Sequence, residues 1–291
     1  MPVSPSSSAQ EARLRLAAQL RDMRKAAGLS GRQFAARAGW ADATNVTKIE
    51  KGQRTITPEH IRLWCRTCGV SEQRVAELLA EQSVVVRMWV AYTQLNQGGL
   101  TRAQQSVREM FERLRLFREY QSRGFPGLLQ TEAWTREVLG LVFDEQGVQA
   151  DDREADVAAA VTERMNRQSV LRRAGKRFVF LMEESAVRYR TMSANTHRAQ
   201  IKHVLKVMHL PLVSYGVIPM DVERGGMRPR EAFTITDSNQ VNIELVSGYM
   251  TITHPAEVAM YVGVFDRLAA LAVYGRRCEA ILRAALSDLE A

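Results

Sequence analysis

Two cysteines of this sequence have a spacing that could support metal or redox chemistry. Cys65 and Cys68 are separated by two residues, which is one half of a common zinc-binding pattern. A structural zinc ion needs four ligands, and the sequence has neither a second such pair nor a histidine pair nearby. We therefore predict buried cysteines on a helix, with no metal and no other cofactor.

Adjacent carboxylates could support acid–base catalysis at Asp151-Asp152 and at Glu183-Glu184. No nucleophile with an adjacent base, no glycine-rich phosphate loop and no metal-ligand spacing accompanies either pair. We therefore predict that the chain has no catalytic residues and is not an enzyme.

Positive charge is concentrated near the N-terminus. The chain has 40 Lys and Arg against 32 Asp and Glu, a net charge of +8. The first 83 residues hold 13 of the basic and 8 of the acidic residues, so most of the excess lies in less than a third of the chain. Net charge is weak evidence for nucleic-acid binding. Whether these basic residues bind nucleic acid therefore depends on the structural elements that carry them.

Cysteine usage and hydropathy limit the location of the protein. A chain of this length with 3 cysteines has no disulfide framework, which favours a reducing compartment. The longest apolar run is far too short to span a bilayer. We therefore expect a cytoplasmic protein that has no membrane partner.

Capping residues and hydrophobic spacing predict five short helices in residues 11–83, after a disordered lead at residues 1–10. Ser30 is a good N-cap for the second helix, and Thr57 followed by Pro58 opens the fourth. The second and third helices are joined by a short glycine turn. This order predicts an all-α helix-turn-helix domain.

The third predicted helix has two different faces. It starts at Asp42 or Ala43, and Val46 and Ile49 have the spacing of a buried face. The opposite face carries hydrogen-bonding side chains, namely Thr44, Asn45, Thr47 and Lys48.

Residues 84–291 mix helical and strand patterns. Most of the predicted strands follow one another with short turns, which favours antiparallel pairing; they are at 176–182, 213–218, 232–236, 240–246 and 249–253. Helical segments precede and follow them. We therefore predict an α+β domain with a small, mainly antiparallel sheet flanked by helices, serving regulation, dimerisation or partner binding.

The N-terminal segments 29–35, 39–40 and 46–52 resemble the phage-repressor-like (XRE) helix-turn-helix proteins in order and spacing. The resemblance makes the third helix the recognition helix, whose polar face enters the major groove of double-stranded DNA. Amide, hydroxyl and ammonium groups can pair with base edges there. Lys51 and Arg54, just past the helix, would contact phosphates.

Three details of this resemblance affect individual residues. Gly31 stands where these proteins often have a phosphate-binding glutamine, so that contact would pass to the backbone, Arg32 or Gln33. The turn before the third helix is about one residue longer than usual, which leaves open which of its first residues reaches a base; the candidates are Ala43, Thr44 and Asn45. Arg24 and Glu50 align with a pair that joins the first helix to the recognition helix, and we expect an ion pair between them.

The rest of the chain resembles the actinobacterial WhiJ-like, antitoxin-like transcriptional regulators. The motifs that carry this resemblance are residues 126–132, 164–171, 183–186 and 213–219. It implies a DNA-binding repressor or activator, commonly encoded beside a small partner protein, and it implies no catalytic residues.

Together these features predict a sequence-specific transcriptional regulator. We expect a homodimer that binds an inverted-repeat operator, associates with the nucleoid and senses a partner protein or ligand through its C-terminal domain. The alternative is an antitoxin-like protein that holds a small cognate partner and uses DNA binding for autoregulation.

Two groups in the C-terminal domain have simpler explanations than a second site. The arginines at 164, 167, 172 and 173 are expected to be a solvated helix face rather than a second DNA-binding surface. The aromatic and methionine residues are expected to fill the core rather than to line a ligand pocket.

Overall fold

The computed structural model describes residues 8–91, 99–145, 152–246 and 248–289. The chain divides into two compact units, Met1–Trp89 and Val90–Ala291. The division lies beyond the predicted domain boundary at 83/84, because the helix that ends the first unit continues to Met88.

The N-terminal unit is helical over its described residues. Its helices, listed in chain order, are α1 (Ser8–Ala26), α2 (Gly31–Arg37), α3 (Thr44–Glu50), α4 (Pro58–Cys68) and α5 (Glu72–Met88). This is the predicted helical order. Helix α1 begins earlier than predicted, so residues 8–10 of the expected disordered lead are helical, and residues 1–7 lie outside the described residues.

Predicted caps fix the starts of two of these helices. Ser30 Oγ accepts the Gln33 N–H at 3.3 Å, while Gln33 Oε1 accepts the Ser30 N–H at 2.8 Å. Thr57 and His60 form the same reciprocal arrangement at the start of α4. Each arrangement satisfies N–H groups that a helix start would otherwise leave unpaired.

Aromatic packing holds the N-terminal helices together. The Phe34 and Trp64 rings lie with centroids 4.2 Å apart, and both side chains are fully buried. The Trp64 indole N–H donates to Leu20 O at 2.8 Å, which satisfies its polar group in the core. Helices α1, α2 and α4 are therefore fixed to one another around this ring pair.

The C-terminal unit combines helices with a sheet. Its helices are α6 (Gly99–Arg113), α7 (Glu132–Glu145), α8 (Arg153–Arg167), α9 (Glu184–Arg188), α10 (Ala194–Val207), α11 (Pro255–Leu271) and α12 (Gly275–Ser287). A short strand, β1 (Trp89–Ala91), lies where the two units divide. The remaining strands are β2 (Leu116–Gln121), β3 (Arg177–Glu183), β4 (Val213–Ile218), β5 (Phe233–Thr236), β6 (Gln240–Leu245) and β7 (Gly248–Ile252).

Strands β2 to β7 lie in the order β7-β6-β5-β2-β3-β4, and the sheet is mixed. Neighbours from β7 through β2 pair antiparallel, and for β5, β6 and β7 this pairing was expected. Strand β3 pairs parallel with both β2 and β4, because helical crossovers rather than hairpins connect these three strands.

The two faces of the sheet pack against different helices. On one face, Phe178 and Phe180 join a core that includes Ile201 of α10 and Leu282 of α12. On the other face, residues of β5 and β6 join Phe265 of α11. The C-terminal unit is therefore a sheet with helices on both sides, in agreement with the predicted α+β class.

Helix α8 ends earlier than predicted. The spacing indicated one helix from Asp151 to Arg173, but α8 spans Arg153–Arg167 and a 3₁₀ turn, Gln168–Arg172, follows it. Asp152 caps the start by accepting the Ala155 N–H at 3.0 Å. The tighter turn buries Val170 and Leu171 in the core beneath the helix end.

Candidate nucleic-acid interface

Helix α3 presents its polar face to solvent. Val46 and Ile49 are fully buried and anchor the helix to the rest of the N-terminal unit. Among the polar candidates, Thr44, Thr47 and Lys48 are exposed and Asn45 is half-buried. The face therefore offers hydroxyl, amide and ammonium groups together, the set that reads base edges in a major groove.

The start of α3 is organised by Asp42. Asp42 Oδ1 accepts the Thr44 N–H at 2.7 Å, and this backbone hydrogen bond lowers the pKa of the Asp42 carboxyl. Ala43 occupies the N-cap position and makes no side-chain capping bond. It is half-buried, and its carbonyl accepts a hydrogen bond from the Thr47 hydroxyl at 3.2 Å.

Arg24 and Glu50 form a two-pronged salt bridge between α1 and α3. Arg24 Nε lies 2.6 Å from Glu50 Oε1, and Arg24 Nη2 lies 2.8 Å from Glu50 Oε2. Arg24 Nη1 also donates to Leu29 O at 2.6 Å. The hydrogen bond that Arg24 donates to Glu50 raises the pKa of Arg24. One guanidinium therefore ties α1, the turn before α2 and the end of α3 together.

Arg54 interacts with the polar face of α3. Arg54 Nη1 donates a hydrogen bond to Asn45 Oδ1. An asparagine that reads adenine uses both its carbonyl oxygen and its amide nitrogen. The bond from Arg54 therefore occupies the side-chain oxygen that such a contact would use. This contact could not be predicted from the sequence, because the two residues are nine positions apart and on different elements.

The other predicted contact residues surround this face. Gln33 uses its side-chain oxygen in the cap of α2, which leaves its amide N–H groups to donate. Arg32, Lys48, Lys51 and Arg54 are exposed, and none has a carboxylate within 4.0 Å among the described residues. These cations are therefore not neutralised by the protein itself.

The acidic pair at the end of β3 has a structural role. Glu183 is buried, accepts a hydrogen bond from the Tyr120 hydroxyl at 2.6 Å and takes two from Arg224, each at 2.9 Å. Burial, and next the bond to Glu183, raise the pKa of Tyr120. Glu184 instead accepts the Met220 N–H at 3.0 Å. These carboxylates join strands to the segment that follows β4.

Polar residues of the 126–132 and 164–171 segments bind one another. Gln130 is buried, donates to Phe125 O at 2.9 Å and accepts from Arg164 Nη1 at 3.0 Å. Gln168 Nε2 donates to Gln130 O at 2.6 Å. These contacts hold the turn before α7 against α8.

The expectation of a solvated arginine face in this region was wrong for two positions. Arg167 is buried and Arg164 is half-buried, whereas Arg172 and Arg173 are exposed. The difference arises because Arg164 is bonded to Gln104 and Gln130, and Arg167 lies over the Phe111 ring.

The described ranges contain neither a metal-binding cluster nor a membrane-spanning helix. No group of three or more His, Cys, Asp and Glu side chains there could hold a metal ion. Cys65 is buried and Cys68 is half-buried. No described helix is long and apolar enough to cross a membrane.

Comparison with known families identifies one family in each unit. A helix-turn-helix domain family matches residues 15–78, so the class of the N-terminal unit is that of the helix-turn-helix proteins. A second family, described as "Domain of unknown function (DUF5753)", matches residues 104–284. This match covers more than half of the chain, and the chain therefore belongs to the DUF5753 family.

Other comparisons give little more. No curated protein matches the chain. One solved structure, described as "Structure of TrmBL2, an archaeal chromatin protein, shows a novel mode of DNA binding", is 12% identical, with a TM-score of 0.29 over 89% of this chain and 98% of that one. A similarity this low supports no conclusion about the fold or function of this chain.

Proposed function

We propose that this protein is a sequence-specific, DNA-binding transcriptional regulator of the XRE-like type and has no catalytic activity. The observation that carries the proposal is the exposed polar face of α3, flanked by cations that have no acidic partner among the described residues. Buried Val46 and Ile49, together with the Arg24–Glu50 salt bridge, hold that face in one orientation. A fixed helix with this chemistry is suited to a major groove.

We further propose that the regulator acts as a homodimer on an inverted repeat. One helix of this length reads only a few base pairs, so specificity requires two copies with recognition helices roughly 34 Å apart, one turn of DNA. The C-terminal unit would supply the dimer contact and receive a regulatory ligand or partner.

The operator experiment tests the DNA-binding proposal. Bound DNA is mapped across a genome or selected from random sequence, and affinity for the selected site is measured by fluorescence anisotropy. Replacing Thr44, Asn45, Thr47 and Lys48 together with Ala is expected to reduce affinity to the non-specific level. Unchanged operator affinity would overturn the proposal. Arg62→Ala together with Arg66→Ala, exposed changes on α4, serves as the folding and charge control.

The antitoxin-like alternative is supported by the resemblance of the C-terminal sequence motifs. It requires a small protein, encoded beside the gene, that co-purifies at a fixed stoichiometry. Retained partner binding in the quadruple α3 variant would favour that alternative as the main activity.

A further inference from the structure

Arg167, the last residue of α8, carries a buried guanidinium with unused hydrogen-bonding capacity. Its side chain is 6% exposed, and its Nε and Nη1 atoms have no hydrogen-bond partner among the described residues. It lies over the Phe111 ring, with Cζ 5.5 Å from the ring centroid. Burial, and next the charge of Arg164, lower the pKa of Arg167 to about 9. An unpaired buried charge destabilises a fold, so its retention calls for a partner.

The neighbouring arginine shows that the fold can satisfy such a group. Arg164, one helical turn earlier, donates from Nη1 to Gln130 at 3.0 Å and from Nε to Gln104 at 3.3 Å. The protein therefore supplies acceptors for one guanidinium and leaves the Nε and Nη1 groups of the next without them in the described part of the chain.

Arg167 lies on the side of the sheet that also carries the Thr236 side chain. Phe117 of β2 pairs with Thr236 of β5, and paired residues of antiparallel strands point to the same face. The Phe117 ring lies 5.0 Å from Phe111, on which Arg167 rests. Thr236 is 8% exposed, and its hydroxyl also has no partner among the described residues. Two buried donors without acceptors therefore belong to one side of the sheet.

This polar character continues across the neighbouring strand. Thr234 and Thr236 pair with Asn242 and Gln240 of β6, which places all four side chains on the Arg167 side. The Asn242 side-chain oxygen Oδ1 accepts a hydrogen bond from the Thr251 hydroxyl of β7 at 3.0 Å. The opposite face of the same strands is apolar and packs under α11. Polar groups on a partly buried face need hydrogen-bond partners from the protein, from water or from a ligand.

The Glu119 carboxyl lies on the same face of the sheet, and its charge depends on pH near neutrality. Glu119 is 5% exposed and pairs with Thr234. Burial raises the pKa of Glu119 to about 7, while Gln121 Nε2 donates to its Oε1 at 2.7 Å. No ion pair within 4.0 Å joins Glu119 to Arg164 or Arg167 in the described structure. Glu244, two positions after Asn242 on β6, lies on the same face, and its charge acts on Glu119 and on Arg164. Two carboxylates therefore accompany the two guanidiniums, while the Nε and Nη1 groups of Arg167 keep no hydrogen-bond partner among the described residues.

We infer that the C-terminal unit binds a small organic anion against the polar face of β2, β5 and β6, with Arg167 as its charge partner and Thr236 as a hydrogen-bond donor. The inference rests on the proposed regulatory role of this unit and gives that role a chemical class of effector. A carboxylate or phosphate oxygen would accept from Arg167, and the remainder of the ligand would lie along the threonines and amides of β5 and β6.

The first test compares three arginine variants of the full chain by thermal unfolding. Arg164→Met removes made hydrogen bonds and is expected to lower the melting temperature. Arg167→Met removes an unpaired buried charge and is expected to keep or raise it in buffer without organic anions. The exposed Arg172→Met is the control and is expected to be neutral. A clear loss of stability in Arg167→Met would show that the arginine is structural and would overturn the inference.

The second test measures binding directly, without DNA. Sodium benzoate and sodium phosphate are titrated separately by calorimetry, which distinguishes a carboxylate from a phosphate site. At least one probe is expected to bind at one per chain, equally to Arg172→Met, and at least tenfold more weakly to Arg167→Lys and Thr236→Val. Absence of binding by both probes, or equal binding by all variants, would overturn the inference.

A third measurement uses the wild-type chain, so its result does not depend on whether the variants fold. In the wild-type chain, the NMR signal of the Arg167 Nε–H is expected to shift on addition of the bound probe. An unshifted signal, or a crystal structure in which water alone contacts Arg167, would contradict the site. Because no step uses DNA, failure here leaves the operator proposal intact, and failure at the operator leaves anion binding intact.

Discussion

The Arg54 side chain, in the segment after α3, donates a hydrogen bond to the side-chain oxygen of Asn45 within α3. The contact links a cation suited to phosphate with an amide suited to a base edge. In the DNA-free protein, the acceptor half of Asn45 is therefore occupied. The proposed phosphate contact of Arg54 and the proposed base contact of Asn45 are thus linked through one hydrogen bond.

This coupling predicts different outcomes for the two residues. Arg54→Ala should weaken binding to all sequences and reduce the salt slope by about one unit, because a phosphate contact is lost. Asn45→Ala should cost about 1–3 kcal/mol at its own base pair and relax the preference there. Fluorescence anisotropy on operator variants at several salt concentrations measures both effects. Arg66→Ala is the charge-matched control, and additive effects in the double variant would contradict the coupling.

The Arg24–Glu50 salt bridge should be important for the stability of the N-terminal unit. Both side chains are largely buried, with 12% and 9% exposed. Removing one partner leaves a poorly solvated charge, so Arg24→Ala or Glu50→Ala should each destabilise the unit by about 3 kcal/mol. The double variant should lose less than the sum of the two. Urea unfolding measures these values, and strict additivity would contradict an energetic role for the pair.

Gly52 should tolerate a side chain less well than Gly28. Both have positive φ, 64° and 69°, so alanine at either position should cost about 1 kcal/mol from backbone strain. A Cβ at Gly52 would also lie 2.9 Å from Leu14 Cδ2, whereas one at Gly28 would meet nothing within 4 Å. Gly52→Ala should therefore show the larger fall in melting temperature. Equal falls would mean that Leu14 moves aside freely.

The cap of α4 should make the N-terminal unit sensitive to acid. Burial, and next the charge of Arg54, lower the pKa of His60 from its ordinary value of 6.5. His60 Nδ1 also accepts the Thr57 N–H, which only the neutral ring can do. The unfolded state therefore binds the proton more readily, and stability should fall as the pH drops below about 6.5.

Thermal unfolding between pH 5 and pH 8 checks this sign. His60→Gln is the control, because glutamine can form the same reciprocal cap without titrating. The melting temperature of the wild type should fall in acid relative to that of His60→Gln. Parallel curves for the two proteins would exclude a contribution from His60.

Local signals predicted the fold well where the structure depends on near neighbours. The Ser30 and Thr57 caps follow from side chains that act within three residues. The β5–β6–β7 hairpins follow from short turns between alternating patterns. The parallel pairing of β3 was not predicted, because it depends on helices crossing between distant strands.

In the candidate sites, too, features set by near neighbours could be predicted, and features set by distant contacts could not. The exposed face of α3 could be predicted, because its buried and polar positions alternate within one helix. The burial of Arg167 could not, since it depends on where α8 ends and on Phe111 from another helix. The Arg54–Asn45 contact likewise joins two elements whose separation the sequence does not define.

Glu183 has a consequence for how the C-terminal unit unfolds. This carboxylate is held by Tyr120 of β2 and by Arg224 from the segment after β4, while Glu183 itself ends β3. Releasing any one of these segments would leave a buried charge without its partners. The three segments should therefore open together in a single cooperative step, so that amide hydrogens on β2 and β3 exchange with solvent at a common rate.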